Sequence, residues 1–289
     1  MNLKNLVFVI IMICIYSCKD HIASNIISID LTSNNSHKQM RIDFYDMKYL
    51  SDGLEIQGYI HKPAKEGKFP VVIYNRGGNR NLGTHNVDRM EFQEEMAMTG
   101  YVVLSTQLRG NKFSEGKDEM GGKDLNDIMK LIDIVDDLEY ADGQNIGVYG
   151  ISRGGMNTYQ VSRETDRIKC IAVVGAPVDP RIDFDTRPEM YDKVFFPLVG
   201  DTIAEKEKYD FRSPIKWVKE INEPTLILHG LDDKRVTPEN AELMIEAMEE
   251  NGNVFDFKLF KEGNHSLSSH VGERNKLVID WFNKHLRDK

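Results

Sequence analysis

Residues 145–155 read NIGVYGISRGG, the most informative segment of the sequence for predicting the architecture. An apolar run at 145–149 is followed by Gly150-x-Ser152-x-Gly154, the spacing of a nucleophile elbow. In an elbow the serine lies on a turn so tight that neighbouring side chains would clash, which explains the glycines. The turn exposes the hydroxyl, and the N-terminus of the next helix points at developing negative charge. We therefore predict a strand, a nucleophilic serine and a helix in succession.

Strands and helices alternate on both sides of this stretch. The runs FPVVIY (69–74) and YVVLST (101–106) are typical of strands buried on both faces. Apolar residues at helical spacing over 125–138 predict a helix. Further strands are predicted at 41–50, 54–61, 168–174, 225–228 and 254–260. The pattern indicates an α/β protein with a mostly parallel twisted sheet of about eight strands and helices on both faces.

Acid and base candidates follow the last two predicted strands, where the chemistry of a parallel sheet lies. The segment HGLDDKRV offers two carboxylates, Asp232 and Asp233, either of which could orient a histidine. The segment KEGNHS places His265 just past a strand end, as a general base requires. His270 is the rival, but its position at the start of the closing helix is typical of a helix surface. The order serine, acid, histidine is that of the α/β-hydrolase fold.

The loop that follows FPVVIY is a candidate oxyanion hole. It reads NRGGNR (75–80), and two consecutive glycines let backbone N–H groups approach a substrate oxygen. Either Gly77 or Gly78 would donate from this loop, together with the N–H of Arg153 after the serine.

Together these segments resemble the catalytic domain of the prolyl oligopeptidase family. The resemblance runs from about Met47 to the C-terminus, and it implies that Asp233 is the acid and His265 the base. Many members of the family carry a β-propeller, which needs 40–45 residues per blade. Only about 50 residues separate Cys18 from FPVVIY, so we expect substrate access to depend on residues 178–222 instead. The aromatic residues of that segment would line a pocket or pack it down as a lid: Tyr191, Phe195, Phe196 and Trp217.

The N-terminus carries a targeting signal. Lys4 precedes an apolar run at 6–16 that is too short to span a bilayer, so residues 1–17 are interpreted as a signal peptide. The run ends in IYSC and resembles a bacterial lipobox, with Cys18 as the lipidated residue. An ordinary signal peptide or an uncleaved anchor is the alternative. Residues 18–40 would form a tether and 41–289 the catalytic domain, held on a periplasmic or cell-surface membrane.

Composition and motifs narrow the function further. The chain has 289 residues and a net charge of −9, and this acidity argues against nucleic-acid binding. It lacks a P-loop, a dinucleotide fingerprint, H-E-x-x-H and paired C-x-x-C, so we predict no metal and no other cofactor. The sequence therefore predicts a serine hydrolase, with a peptidase as the first hypothesis. An esterase acting on small or glycan-linked acyl esters is the second, and a non-catalytic binding lipoprotein is the third.

Overall fold

A computed structural model of the protein describes residues 25–32, 40–85 and 90–287. The predicted signal peptide, residues 1–17, and the predicted lipidation site, Cys18, lie outside the described residues. Within the described ranges, none of the helices combines the length and the hydropathy needed to span a bilayer.

Nine described strands form one sheet, in the order β1-β2-β3-β5-β4-β6-β7-β8-β9. Strands β1 to β3 run antiparallel to their neighbours, and β4 to β9 run parallel to one another. The bounds are β1 Ile26–Leu31, β2 Ile42–Ser51, β3 Leu54–Pro63, β4 Phe69–Asn75, β5 Val102–Thr106, β6 Ala141–Ile151, β7 Ile168–Val174, β8 Thr225–Gly230 and β9 Phe255–Phe260. The predicted α/β-hydrolase architecture is confirmed, with nine strands where about eight were expected.

Helices cover both faces of the sheet. The longer ones are α1 Glu91–Met98, α2 Leu125–Ile134, α3 Arg153–Glu164, α4 Lys206–Phe211, α5 Pro238–Asn251 and α6 Val271–Leu286. Successive strand residues point to opposite faces. In β4, for example, Val71 packs in the core with α2, α3 and α5, whereas Val72 packs in the core with α1 and α6. This double burial explains the solid apolar runs in the sequence.

Strand β1 corrects the prediction that residues 18–40 form a tether. Ile26–Leu31 pairs antiparallel with β2 at the edge of the sheet. Only Ile26 and Ile29 pack against the core, while Ile27 and Leu31 are exposed. An edge strand with so few buried side chains has a weak apolar pattern, and the polar residues around it conceal that pattern.

Residues 178–222 contain helical turns as well as irregular backbone. The turns are Pro180–Asp183, Pro188–Met190, Tyr191–Phe195, Phe196–Leu198, α4 and Pro214–Glu220. Phe195 and Trp217 are buried, so these two rings pack the segment down, whereas Phe196 is 52% exposed. Tyr191 is half-buried and packs against the same cluster as Phe195, so packing is the role of three of the four predicted aromatic residues.

Candidate active site

The turn between β6 and α3 has the backbone of a nucleophile elbow. Ser152 adopts φ 58° and ψ −127°, a backbone conformation that is strained for any residue other than glycine. A Cβ at Gly150 would lie 2.1 Å from the carbonyl oxygen of Gly154, and a Cβ at Gly154 would lie 2.0 Å from that of Asn75. Both positions therefore require glycine. The strain is held by neighbours on each side, including a 2.8 Å hydrogen bond from the Ser152 N–H to the Val174 carbonyl oxygen.

Asp233, and not Asp232, lies beside the candidate base. Its Oδ2 is 2.7 Å from Nδ1 of His265, and its Oδ1 accepts the N–H groups of Arg235 and Val236 at 2.8 and 3.1 Å. Asp233 is buried, whereas Asp232 is exposed. Burial raises the pKa of Asp233, but hydrogen bonds from His229 and His265 outweigh it and hold the pKa well below its usual value. The carboxylate is therefore ionised at neutral pH.

The carboxylate fixes the proton on the imidazole of His265. Because an ionised carboxylate only accepts hydrogen bonds, the neutral imidazole of His265 carries its proton on Nδ1, which leaves Nε2 as an acceptor. This is the tautomer that a general base needs. The rival, His270, places its Nε2 3.1 Å from the Lys261 carbonyl oxygen and packs its ring on Phe260. The contacts given for His270 are therefore with the end of β9 and not with Asp233.

The elbow and the Asp–His pair meet at residues 174–175. Val174 accepts the N–H of Ser152, and a Cβ on Gly175 would lie 3.2 Å from His265 Nδ1 and 3.3 Å from Asp233 Oδ2. Within the described residues, no hydrogen bond joins the Ser152 hydroxyl to the His265 imidazole. Catalytic hydrogen bonds are often long without substrate and tighten when it binds.

The candidate oxyanion loop lies next to the nucleophile. A Cβ at Gly77 would be 3.2 Å from Ser152 Cβ and 3.8 Å from its hydroxyl oxygen. Gly78 has φ +78°, and a Cβ there would lie 2.1 Å from the Leu82 carbonyl oxygen. The structure thus brings the predicted glycines and Arg153, the residue after the serine, to the same place.

Four further side chains hold this region. The sequence predicts a structural position for His229, at the end of a strand, and gives no role to the other three: Arg76, Asp118 and Asp124. Arg76 donates to the carbonyl oxygens of Gln107 and Gly77 at 2.8 and 3.0 Å. Burial is the main reason that the pKa of Arg76 falls to about 10. The Nε2 of His229 is 3.3 Å from Asp233 Oδ2. Charged residues in polar loops usually indicate solvated surface, so no local signal marked them as buried.

A family model described as the prolyl oligopeptidase family matches residues 89–289. The chain belongs to this family. This match confirms the resemblance seen in the sequence. Because the family consists of peptidases, membership supports a hydrolase. No group of three or more His, Cys, Asp or Glu that could hold a metal ion occurs in the described part of the chain.

Relatives differ in length from this chain. The uncharacterized peptidase YuxL of Bacillus subtilis is 30% identical, over 81% of this chain and 38% of its own length. The uncharacterized peptidase YtmA of the same organism is 25% identical, over 72% of this chain and 80% of its own length. The chain therefore spans well under half of the first relative but most of the second.

Solved structures share the fold at low identity. Pyrococcus horikoshii acylaminoacyl peptidase has a TM-score of 0.77 at 23% identity and is matched over 89% of this chain and 44% of its own. An acetyl xylan esterase from Paenibacillus sp. R4 has a TM-score of 0.70 at 18% identity, over 88% of this chain and 87% of its own. At these identities the likeness shows the fold alone.

Proposed function

We propose that the protein is a serine peptidase in which Ser152 is the nucleophile, His265 the general base and Asp233 the group that orients the base. One observation carries the proposal. The 2.7 Å contact between His265 and Asp233 leaves the imidazole ready to accept a proton beside a serine on a strained elbow.

The mechanism is acyl transfer in two halves. His265 Nε2 takes the proton of Ser152 as its oxygen attacks the carbonyl carbon of the substrate. The N–H of Arg153 and that of Gly77 or Gly78 stabilise the oxyanion, each worth about 2.7–4 kcal/mol in the transition state. His265 then protonates the leaving amine. Water repeats the attack on the acyl-enzyme and restores the serine.

A fluorophosphonate probe tests the nucleophile. The folded protein is expected to be labelled, and Ser152→Ala is expected to abolish labelling and turnover. Ser266→Ala, at an exposed position next to His265, is the matched control and should behave as wild type. Equal labelling of wild type and Ser152→Ala would contradict the assignment. Tight ligand binding unaffected by Ser152→Ala, with no turnover of any substrate, would favour the non-catalytic alternative.

An ester substrate is the second candidate. It is favoured by the acetyl xylan esterase, which shares the fold over 87% of its chain, whereas the acylaminoacyl peptidase is covered over only 44%. Activated esters do not separate the two, because serine peptidases also cleave them. A broad panel of peptide anilides does. We expect turnover of at least one anilide. If no anilide is cleaved and acetylated oligosaccharides are hydrolysed rapidly, the protein is an esterase and not a peptidase.

We also propose that the chain is exported and anchored through Cys18. The support is the apolar run at 6–16 and the lipobox-like IYSC that ends it. Cys18→Ala is expected to move the protein from the detergent-extractable membrane fraction to the soluble fraction. Unchanged fractionation would exclude lipidation as the anchor.

A further inference from the structure

The side chain of Arg153 lies in a buried ion-pair cluster directly behind the elbow. Its Nη1 donates to Asp118 Oδ2 at 2.8 Å and its Nη2 to Asp118 Oδ1 at 2.9 Å, a two-pronged geometry. The Nη2 also donates to Asp124 Oδ2 at 2.7 Å. All three side chains are at most 2% exposed. Arg153, the residue after the nucleophile, therefore has its backbone N–H at the candidate oxyanion hole and its charged side chain in the protein interior.

The same cluster holds the oxyanion loop. Nη1 of Arg153 donates to the carbonyl oxygen of Gly78 at 3.1 Å. Asp118 Oδ2, which pairs with Arg153, also accepts the N–H of Arg80 at 2.5 Å. Residues 78–80 are thus fixed at both ends by one guanidinium and its partner carboxylate. A shift of the guanidinium would move the glycines relative to Ser152.

The cluster is itself firmly anchored. Asp124 Oδ1 accepts the N–H of Gly122 at 2.9 Å, and Asp118 Oδ1 accepts that of Met120 at 2.8 Å. Burial lowers the pKa of Arg153, but the charges of Asp124 and Asp118 outweigh it, so the pKa is raised. The guanidinium is therefore charged at neutral pH.

Stability alone does not account for such a cluster. The desolvation of buried charges roughly cancels their attraction, and apolar replacements of similar volume are often equally stable. What a rigid guanidinium offers that apolar groups do not is a fixed set of directed donors. Here one of those donors reaches Gly78, in the loop that lies next to the nucleophile.

We propose that the Arg153 side chain, with Asp118, is a positioning group that holds the Gly77–Gly78 segment where its N–H can donate to the substrate oxyanion. Arg153 then serves both sides of the oxyanion hole: its own N–H donates from one side, and its guanidinium sets the other. The inference rests on the proposed serine hydrolase function and adds a residue to it.

Arg153→Lys tests the proposal, since an ammonium group keeps the charge but loses the two-pronged geometry. With the best anilide or ester substrate, we expect kcat to fall about 10²–10³-fold, the effect of losing one oxyanion donor. KM is expected to change by less than about threefold, since the loop contacts the transition state more than the ground state. Affinity for a boronic acid that matches the acyl group is expected to fall by the same factor as kcat/KM.

Arg109→Lys is the matched control. Arg109 is also buried and pairs with Asp127, whose Oδ1 accepts from both its Nε and its Nη2, and its other side-chain partners are Ser51 and Asp52, neither of which belongs to the oxyanion loop. It is expected to lower the melting temperature and to leave kcat and boronate affinity unchanged per folded molecule.

The outcomes separate the inference from the function it rests on. If wild type and Ser152→Ala have the same activity, the function fails. If wild type is active and folded Arg153→Lys stays within about twofold of its kcat and boronate affinity, the positioning role fails. Should Arg153→Lys not fold, Asp118→Asn decides, because it keeps the shape and removes the charge. A parallel loss of kcat and boronate affinity in Asp118→Asn supports the role, and wild-type values for both overturn it.

Discussion

Asp233→Asn probes the one atom that joins the candidate acid to the candidate base. Oδ1 of Asp233 accepts the N–H groups of Arg235 and Val236 at 2.8 and 3.1 Å, so in the variant the amide oxygen keeps that position. The amide nitrogen then takes the place of Oδ2 and faces Nδ1 of His265 at 2.7 Å. Two N–H donors cannot share this contact. His265 is therefore forced to carry its proton on Nε2.

The expected loss is large because this tautomer cannot accept a proton from Ser152. The equivalent change in another serine peptidase fold lowers kcat by about 10⁴, or about 5 kcal/mol in activation free energy. Folding should survive, since both backbone hydrogen bonds to Oδ1 remain. His229 also keeps its 2.9 Å contact with the Val236 carbonyl oxygen. We expect the free energy of unfolding to fall by about 1–3 kcal/mol.

The assay compares wild type, Asp233→Asn and Asp232→Asn with one chromogenic substrate and one urea unfolding curve each. Asp233→Asn should lose about 10⁴ in kcat with KM changed by less than about threefold. Asp232→Asn, at an exposed carboxylate, should stay within about twofold of wild type. A folded Asp233→Asn within tenfold of wild type, or a larger loss in Asp232→Asn, would refute the assignment of the acid.

Two further predictions concern the elbow and a buried histidine. Gly154→Ala is expected to abolish soluble expression, because its Cβ would lie 2.0 Å from the Asn75 carbonyl oxygen, whereas Gly272→Ala meets nothing within 4 Å and should express normally. Burial and the nearby charge of Arg76 lower the pKa of His85 to about 3. Its imidazole therefore stays neutral in the folded protein, whereas it takes up a proton near pH 6.5 in the unfolded chain. Stability is then lost as the pH falls from about 6.5 towards 3, by about 2–3 kcal/mol at pH 4.5. His85→Phe should remove that part of the difference between urea unfolding at pH 7 and at pH 4.5, and an unchanged difference would contradict the mechanism.

The parts of the site that were predictable have a local cause in the sequence. The elbow is predictable because close contacts within and around the turn require glycine at positions 150 and 154. The loops are predictable because buried strands give continuous apolar runs before them. The carboxyl ends of parallel strands lie along the same edge of the sheet. Because Ser152, Asp233 and His265 each follow such a strand, the sequence predicts that they lie close together. The choice between Asp232 and Asp233 needed the family resemblance, since their sequence surroundings are nearly the same.

The parts that were not predictable depend on contacts between distant segments. The charges of Asp118 and Asp124 have the composition of a solvated loop, and only the fold brings Arg153 to them. Strand β1 lies outside the predicted domain because an edge strand buries few side chains and so lacks a strong alternating pattern. In both cases the deciding contacts join residues that are far apart in the sequence, so no short segment of the sequence contains both partners.

The position of His265 has a consequence for when and where the protein can act. It follows β9, which lies at one edge of the described sheet, whereas Ser152 follows the more central β6. Ser152 therefore leaves the ribosome long before His265, and a site that needs both residues cannot assemble until synthesis is nearly complete. In the finished enzyme, fraying of that outer margin would separate the two groups while the centre of the sheet persists. Inactivation by heat should accordingly run ahead of the collapse of bulk secondary structure.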